Sequence, residues 1–235
     1  CKGILFMADK FKLRDNLLQQ HPGEWRKIPG NNQENKRIDA SCLSLEMRKR
    51  ENAELGRKDL HSFREAEKTP VLIVLDNIRS MHNVGSVFRT ADAFLLSGIY
   101  LCGYTPVPPH RDIHKTALGA TETVSWTYFP GTLEAIRSLK SQGYAIWAVE
   151  QAEGSIGLNQ FQPPCGPPLA LIFGNEARGV DPTVLQATDG CLEIPQLGMK
   201  HSLNIAVSAG IVIWDIFCKL VPPHPKVDHH AGQYP

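Results

Sequence analysis

Three short stretches bring together residue types that can bind a polar ligand and hold it for reaction. The first is Asn83-Val84-Gly85-Ser86-Val87-Phe88-Arg89-Thr90-Ala91-Asp92-Ala93, with a carboxamide and a guanidinium on one helical segment. Arg89 stands six positions after Asn83, roughly 1.7 turns, so the two do not share one narrow face. Asn83 near the helix start reaches the mouth of a cleft, while Arg89 points toward a partner chain; a plain cap and a surface charge explain the same residues. The second stretch, Gly174-Asn175-Glu176-Ala177-Arg178-Gly179-Val180, has two glycines flanking a polar turn, which lets backbone pass close to a ligand. An ordinary strand-to-helix turn would carry those glycines too. The stretch is not a P-loop, because Val180 follows Gly179 where Lys and Ser/Thr are needed, and it is not G-x-G-x-x-G. The third runs Ile194-Pro195-Gln196-Leu197-Gly198-Met199-Lys200-His201-Ser202-Leu203-Asn204. Ser202 is the expected cap of a helix there, and Asn204, a poor helix former, suits a polar group aimed at a ligand. Close helix packing through Ala206, Ser208, Ala209 and Gly210 is the plainer account.

Two histidine groups offer less. His110 and His114 have the i, i+4 spacing of a zinc pair, but no Glu base stands between them and the Pro-rich context argues against a helix. Asp228-His229-His230 lies in a polar tail, 221–235, so no metal is expected. The six cysteines, Cys1, Cys42, Cys102, Cys165, Cys191 and Cys218, form no C-x-x-C pair, and several sit in apolar runs. Buried free thiols in a reducing, cytoplasmic compartment fit this better than a disulfide frame.

The elements that must position these stretches alternate between strand and helix from Thr69-Pro70 onward. Val71 to Leu75 is a continuous apolar run, as expected for a strand covered on both faces. A helix from Asn83 to Leu96 follows, then a strand at Ile99–Cys102 and a Pro-rich loop over Thr105–Pro109. Val124–Phe129, Tyr144–Glu150, Leu169–Phe173 and Cys191–Ile194 are further strands. Thr132–Gln142, a short helix after Asp181-Pro182, and Ser202–Lys219 are helical. The pattern predicts an α/β fold with a mainly parallel sheet over 69–220. Each of the three stretches then follows or joins a strand end, where ligands of open α/β folds bind.

Upstream, residues 1–46 are polar and irregular, and a chain opening at Cys1 lacks a normal start. The expectation is a mobile extension outside the functional unit, with Met47 as the functional beginning. Residues 47–68 predict one charged helix, with Leu55, Leu60 and Phe63 as its thin apolar stripe. Its lysines and arginines can meet RNA backbone, although Glu51, Glu54, Asp59, Glu65 and Glu67 weaken that. The net charge is +1, so any polyanion must be met by local patches. No apolar run is long enough for a membrane span or a secretory signal.

In their order and at these strand ends, the three stretches resemble the motifs of the SpoU (TrmH-like) branch of the SPOUT methyltransferases, over roughly Val71–Leu220. Asn83, Gly85 and Arg89 match the first motif; Phe173-Gly174-Asn175-Glu176 with Gly179 match the second; Ile194-Pro195, Gly198 and Ser202-Leu203-Asn204 match the third. The third departs at Gln196, where Met is common, and in Ala206-Val207-Ser208, which changes detail of an adenine pocket but loses no polar position. The resemblance implies helices on both sheet faces and a C-terminal deep trefoil knot, an exception to the rule against threading. It implies S-adenosylmethionine held in the knot near Gly174, Ile194 and Leu203, with Gln196, Asn204, Asn175 and Gly179 close. It also implies a homodimer with a shared active site, which gives Arg89 something to face.

The implied reaction is methylation of an RNA ribose 2′-hydroxyl. Arg89 would position the hydroxyl and the RNA phosphate and stabilise developing oxyanion charge, with Asn83, Glu176, Ser202 and Asn204 orienting ribose and cofactor. His110, Arg111, His114 and Lys115, with Arg89, are the expected RNA contacts. The limited room for a separate N-terminal RNA-binding domain tilts the target toward tRNA, a guanosine, over rRNA. Two other classes compete. A non-catalytic knotted RNA-binding relative would have lost Arg89, Asn204 or Gly174, and all three are present. A nucleotide-binding regulator would bind NAD or ATP, and its glycine fingerprint is missing.

Overall fold

A computed structural model describes residues 48–200 and 202–221. The chain divides into two compact units, 1–51 and 52–235, and every element below belongs to the second. The expectations for 1–46, for Met47, for Cys1 and Cys42, and for Asp228-His229-His230 lie outside the described residues.

The strands are β1 (Thr69–Asp76), β2 (Leu96–Cys102), β3 (Trp126–Phe129), β4 (Ala145–Val149), β5 (Ile156–Gly157), β6 (Leu169–Phe173) and β7 (Gly190–Glu193). They form one sheet in the order β3-β2-β1-β6-β4-β7-β5, and every pairing is parallel. The helices are α1 (Leu60–Glu65), α2 (Met81–Ala93), α3 (Arg111–Ala117), α4 (Ala120–Thr123), α5 (Thr132–Ser141), α6 (Pro182–Gln186) and α7 (Ile205–Leu220). Residues 69–220 thus build the expected parallel α/β sheet.

β1 and β6 are apolar throughout because both of their faces are covered. Val71, Ile73 and Leu75 of β1, with Leu169, Leu171 and Phe173 of β6, enter one core together with α2 and α7. Leu72, Val74, Ala170 and Ile172 enter a second core, which α5 closes with Ala135, Ile136 and Leu139. Each large aliphatic side chain buried this way contributes about 1.5–3 kcal/mol, so the central pair is a rigid support for the loops that leave it. Strand order reverses between β1 and β6, which creates the crevice where such sheets bind ligands.

Several boundaries differ from those the sequence predicts, each through local capping chemistry. Asn83 does not cap α2; Ser80 does, its Oγ accepting from the Asn83 N–H at 3.3 Å. Asn83 therefore lies in the first turn with its carboxamide free for other work. Ser202 does not start α7 either. The helix begins at Ile205, and Asn204 caps it by accepting from the Ala206 N–H at 2.9 Å. The segment after Pro108-Pro109 is helical, with His110 as the α3 cap, its Nδ1 accepting from the Asp112 N–H at 3.2 Å. The prolines precede that helix, so they remove none of its hydrogen bonds.

A single charged helix does not form over 48–68. A 3-10 turn at Asn52–Leu55 ends at Gly56, whose φ is 56°, and α1 restarts after Asp59, which accepts from the Ser62 N–H at 2.7 Å. The four described thiols are free; Cys102 and Cys191 are buried, while Cys165 and Cys218 are exposed, so burial holds for the first pair alone. Burial pushes the Cys102 thiol up to about 12. No helix among the described residues is long and apolar enough to cross a membrane.

Candidate active site

Leu75 of β1 pairs with Phe173 of β6, so the loops leaving these strands start side by side. Asn175 ties them together. Its Nδ2 donates to the Asn77 carbonyl at 2.7 Å and to the Tyr104 hydroxyl at 3.1 Å, and its Oδ1 accepts from the Ala177 and Arg178 N–H groups at 3.0 and 3.1 Å. Every polar atom of that buried side chain is engaged in shaping the turn. The turn is closed by paired backbone bonds between Asn175 and Gly179, at 3.0 and 2.8 Å. Gly174 is needed there because a Cβ would lie 2.2 Å from the Gly179 carbonyl carbon.

Glu176 projects from this turn back to the first loop. Its carboxylate accepts from the backbone N–H groups of Arg79 and Ser80 at 3.0 and 3.1 Å, and from Asn83 Nδ2 at 3.2 Å. Burial alone would raise the Glu176 carboxyl, but these bonds and its own backbone N–H outweigh it, holding the group below the usual glutamate range. Asn83 Oδ1 in turn accepts from Asn204 Nδ2 at 3.2 Å. One hydrogen-bonded chain, Glu176–Asn83–Asn204, therefore joins all three stretches across 93 and 121 positions of sequence.

A cleft of about 650 Å³ opens beside this chain, a size typical of small-molecule sites. Gly174, Asn175, Glu176, Gly179, Ile194, Gln196, Ser202, Leu203 and Asn204 all line it. So do two acids that motif reasoning missed, Glu150 and Glu193. Glu150 pins the turn, accepting from the Val180 N–H at 2.9 Å and the Gln151 N–H at 2.8 Å. Its position just after β4, at the carboxyl end of a strand, was the available signal. Among the described residues the lining carries three carboxylates against one guanidinium, that of Arg178, so it favours a cationic ligand and opposes phosphates.

Arg89 is the outlier. It is exposed on α2, does not line the cleft, and makes no hydrogen bond or ion pair among the described residues. The structure also separates the expected RNA contacts. His110, Arg111 and His114 line a second cavity, whereas Lys115 turns to Asp112 at 2.7 Å.

The SpoU rRNA Methylase family model matches residues 70–214, which hold all three stretches. The chain belongs to that family. It is 30% identical over 162 residues to the 23S rRNA (guanosine-2′-O-)-methyltransferase RlmB of Vibrio parahaemolyticus, covering 69% of this chain and 64% of the relative. It is 28% identical over 166 residues to the tRNA (guanosine(18)-2′-O)-methyltransferase of Thermus thermophilus, covering 71% of this chain and 84% of the relative. Among solved structures, an AdoMet-bound rRNA methyltransferase from Sinorhizobium meliloti superposes with a TM-score of 0.62 at 27% identity, over 68% of this chain and 61% of that one. The SpoU-family match thus spans less than two thirds of the Vibrio and Sinorhizobium proteins.

Proposed function

We propose that this chain transfers a methyl group from S-adenosylmethionine to a ribose 2′-hydroxyl of a structured RNA, a guanosine of tRNA rather than of rRNA, as a homodimer in which each chain ties its own C-terminal trefoil knot. The observation that carries the activity is the Glu176–Asn83–Asn204 chain beside an acid-lined cleft at the sheet's switch point. The cleft fits the cofactor by charge, because a sulfonium and an ammonium suit three carboxylates. Gly174 and Gly179 let the turn close tightly against its own backbone and Glu150, which sets that backbone as one wall of the cleft. Gly174, Ile194, Gln196, Leu203 and Asn204 would hold it, with Asn175 and Gly179 contributing through backbone.

When bound, S-adenosylmethionine supplies an electrophilic methyl group that a ribose oxygen displaces in line. Asn83 does not itself line the cleft; Glu176 and Asn204, which do, hold its carboxamide still beside it. Ser202 lies on the same wall and can hydrogen-bond ribose or cofactor. The Arg89 guanidinium would grip the RNA phosphate and stabilise charge on the attacking oxygen.

The exposed face of α7 supports the dimer. Val207, Ile211 and Trp214 form one apolar stripe at i, i+4 and i+7, and Trp214 is 56% exposed. α7 packs against α2, so a second copy on that stripe would lie near the partnerless Arg89. Family membership supports the knot. The Vibrio and Thermus relatives named above both have guanosine in their names, which supports that nucleoside. The Thermus relative supports a tRNA guanosine as the target, and the Vibrio relative keeps 23S rRNA as the second reading.

Calorimetry with S-adenosylhomocysteine, NAD and ATP tests the cofactor. Only the first is expected to bind. Arg89→Ala is expected to keep that binding and to lose methyl transfer by a factor of roughly 10² to 10³. Undiminished transfer in that variant removes Arg89 from the mechanism.

A further inference from the structure

The second cavity, of about 480 Å³, lies between the start of α3 and β3, away from the acid-lined cleft. Its inner wall is apolar: Ile113 is fully buried, Trp126 is half-buried, and Pro109 closes one side. Its rim is cationic or donating. His110 uses Nδ1 as the α3 cap, accepting from the Asp112 N–H, which leaves Nε2 as its outward-facing donor. Arg111 and His114 are exposed, and neither side chain makes a hydrogen bond or ion pair among the described residues. Arg64 adds a further positive charge beside the cavity, its Nη2 donating to the Glu122 carbonyl at 3.3 Å. Among the described residues one acid, Glu122, lines the cavity.

A flat apolar wall with an indole, one acceptor and an uncommitted basic rim is the complement of a nucleotide. The ring would stack on Trp126, the base edge would donate to Glu122, and the phosphate would meet Arg111, His114 and the His110 donor. The cavity is also placed for this. α3 packs so closely on α2 that a Cβ at Gly85 would lie 2.3 Å from the Ile113 carbonyl oxygen. The Thr116 hydroxyl donates to the His82 carbonyl at 3.0 Å, so the pocket rides rigidly on the helix that carries Asn83 and Arg89.

The geometry points to a nucleobase subsite here, one that takes an unpaired nucleotide of the RNA substrate other than the one being methylated. This rests on the proposed RNA methyl transfer and extends it by naming a second contact. RNA recognition works this way in general, because splayed-out bases can stack where helical grooves cannot be read. Stacking on an aromatic side chain strengthens binding by on the order of ten- to a hundredfold per base.

The test uses the full chain, unfractionated tRNA and separately purified rRNA. Arg111→Ala, His114→Ala and Trp126→Ala should each raise the RNA KM about tenfold, with kcat at saturating RNA and the S-adenosylhomocysteine Kd unchanged. Trp126→Phe keeps a ring and should recover most of the loss. Arg111 and His114 are exposed, so their variants remain informative even if Trp126→Ala fails to fold. Where the wild type methylates RNA, an unchanged KM in the three variants overturns the subsite, as does tight binding of free GMP that leaves RNA binding unaffected. If the wild type methylates no RNA, the proposed reaction fails instead. Fluorescence anisotropy with labelled tRNA then decides the subsite alone: weakening of fivefold or more in the three variants supports it, and equal binding overturns it.

Discussion

Replacing Gly174 with alanine perturbs the wall of the cleft without touching any polar side chain. The new Cβ would lie 2.2 Å from the Gly179 carbonyl carbon and the Val180 nitrogen, and 2.5 Å from the Gly179 oxygen. Ordinary contact begins at 3.4 Å, so the turn must open by about 1 Å. These neighbours are backbone, held by the paired Asn175–Gly179 bonds at 3.0 and 2.8 Å and by Glu150 on the Val180 N–H at 2.9 Å. Overpacking of this kind costs about 1–3 kcal/mol. A domain of this size loses roughly 2–4 °C per kcal/mol, so Tm should fall by about 2–12 °C. A shift of that size in a reacting site costs on the order of 10²-fold in rate, so methyl transfer should fall about that much. Thermal melting and a transfer assay measure these two effects, and calorimetry with S-adenosylhomocysteine reads the weakened cofactor binding that should accompany them. Gly198→Ala is the control, because nothing lies within 4 Å of its added Cβ. Gly174→Ala with the control's Tm and full cofactor affinity would refute the tight turn as the cleft wall.

Glu176 predicts an acid dependence of stability. Its folded carboxyl sits below the unfolded value of 4.5, so it adds stability above that pH and loses it as pH falls through the folded value. Glu176→Gln should therefore narrow the stability gap between pH 7 and pH 3 in denaturant titrations, and an unchanged gap counts against the hydrogen-bonded frame. Trp214→Glu should convert a dimer to a monomer in sedimentation equilibrium and lower transfer, while a wild type that sediments as a monomer dismisses the shared site.

The fold was legible where the sequence obeys a simple burial rule. Continuous apolar runs at Val71–Leu75 and Leu169–Phe173 mark strands covered on both faces, and glycine-bearing polar clusters mark the loops that leave them. Boundaries were less legible, because capping is a competition among nearby side chains. Ser80 outcompetes Asn83, Asn204 outcompetes Ser202, and His110 caps a helix behind two prolines. The contact that makes the site, Asn83 between Glu176 and Asn204, has no local trace, since it joins residues 93 and 121 apart. Glu150 was missed because one acid after a strand forms no pattern until the sheet sets it beside Val180. The Val207–Ile211–Trp214 stripe is exposed because Ala209, Val212, Ile213 and Ile216, on the other side of α7, fill the core.

The central claim is ribose methylation from a sulfonium donor, tied to the joined loops. The direct measurement incubates the full chain with S-adenosylmethionine deuterated at the methyl group and with undermodified tRNA and rRNA in separate reactions. Nucleoside mass spectrometry then reads the product. The account predicts deuterated 2′-O-methylguanosine, appearing in the tRNA reaction and falling at least about tenfold with Asn83→Ala. Label on a base, or no label in any nucleoside from a protein that binds S-adenosylhomocysteine, would contradict it.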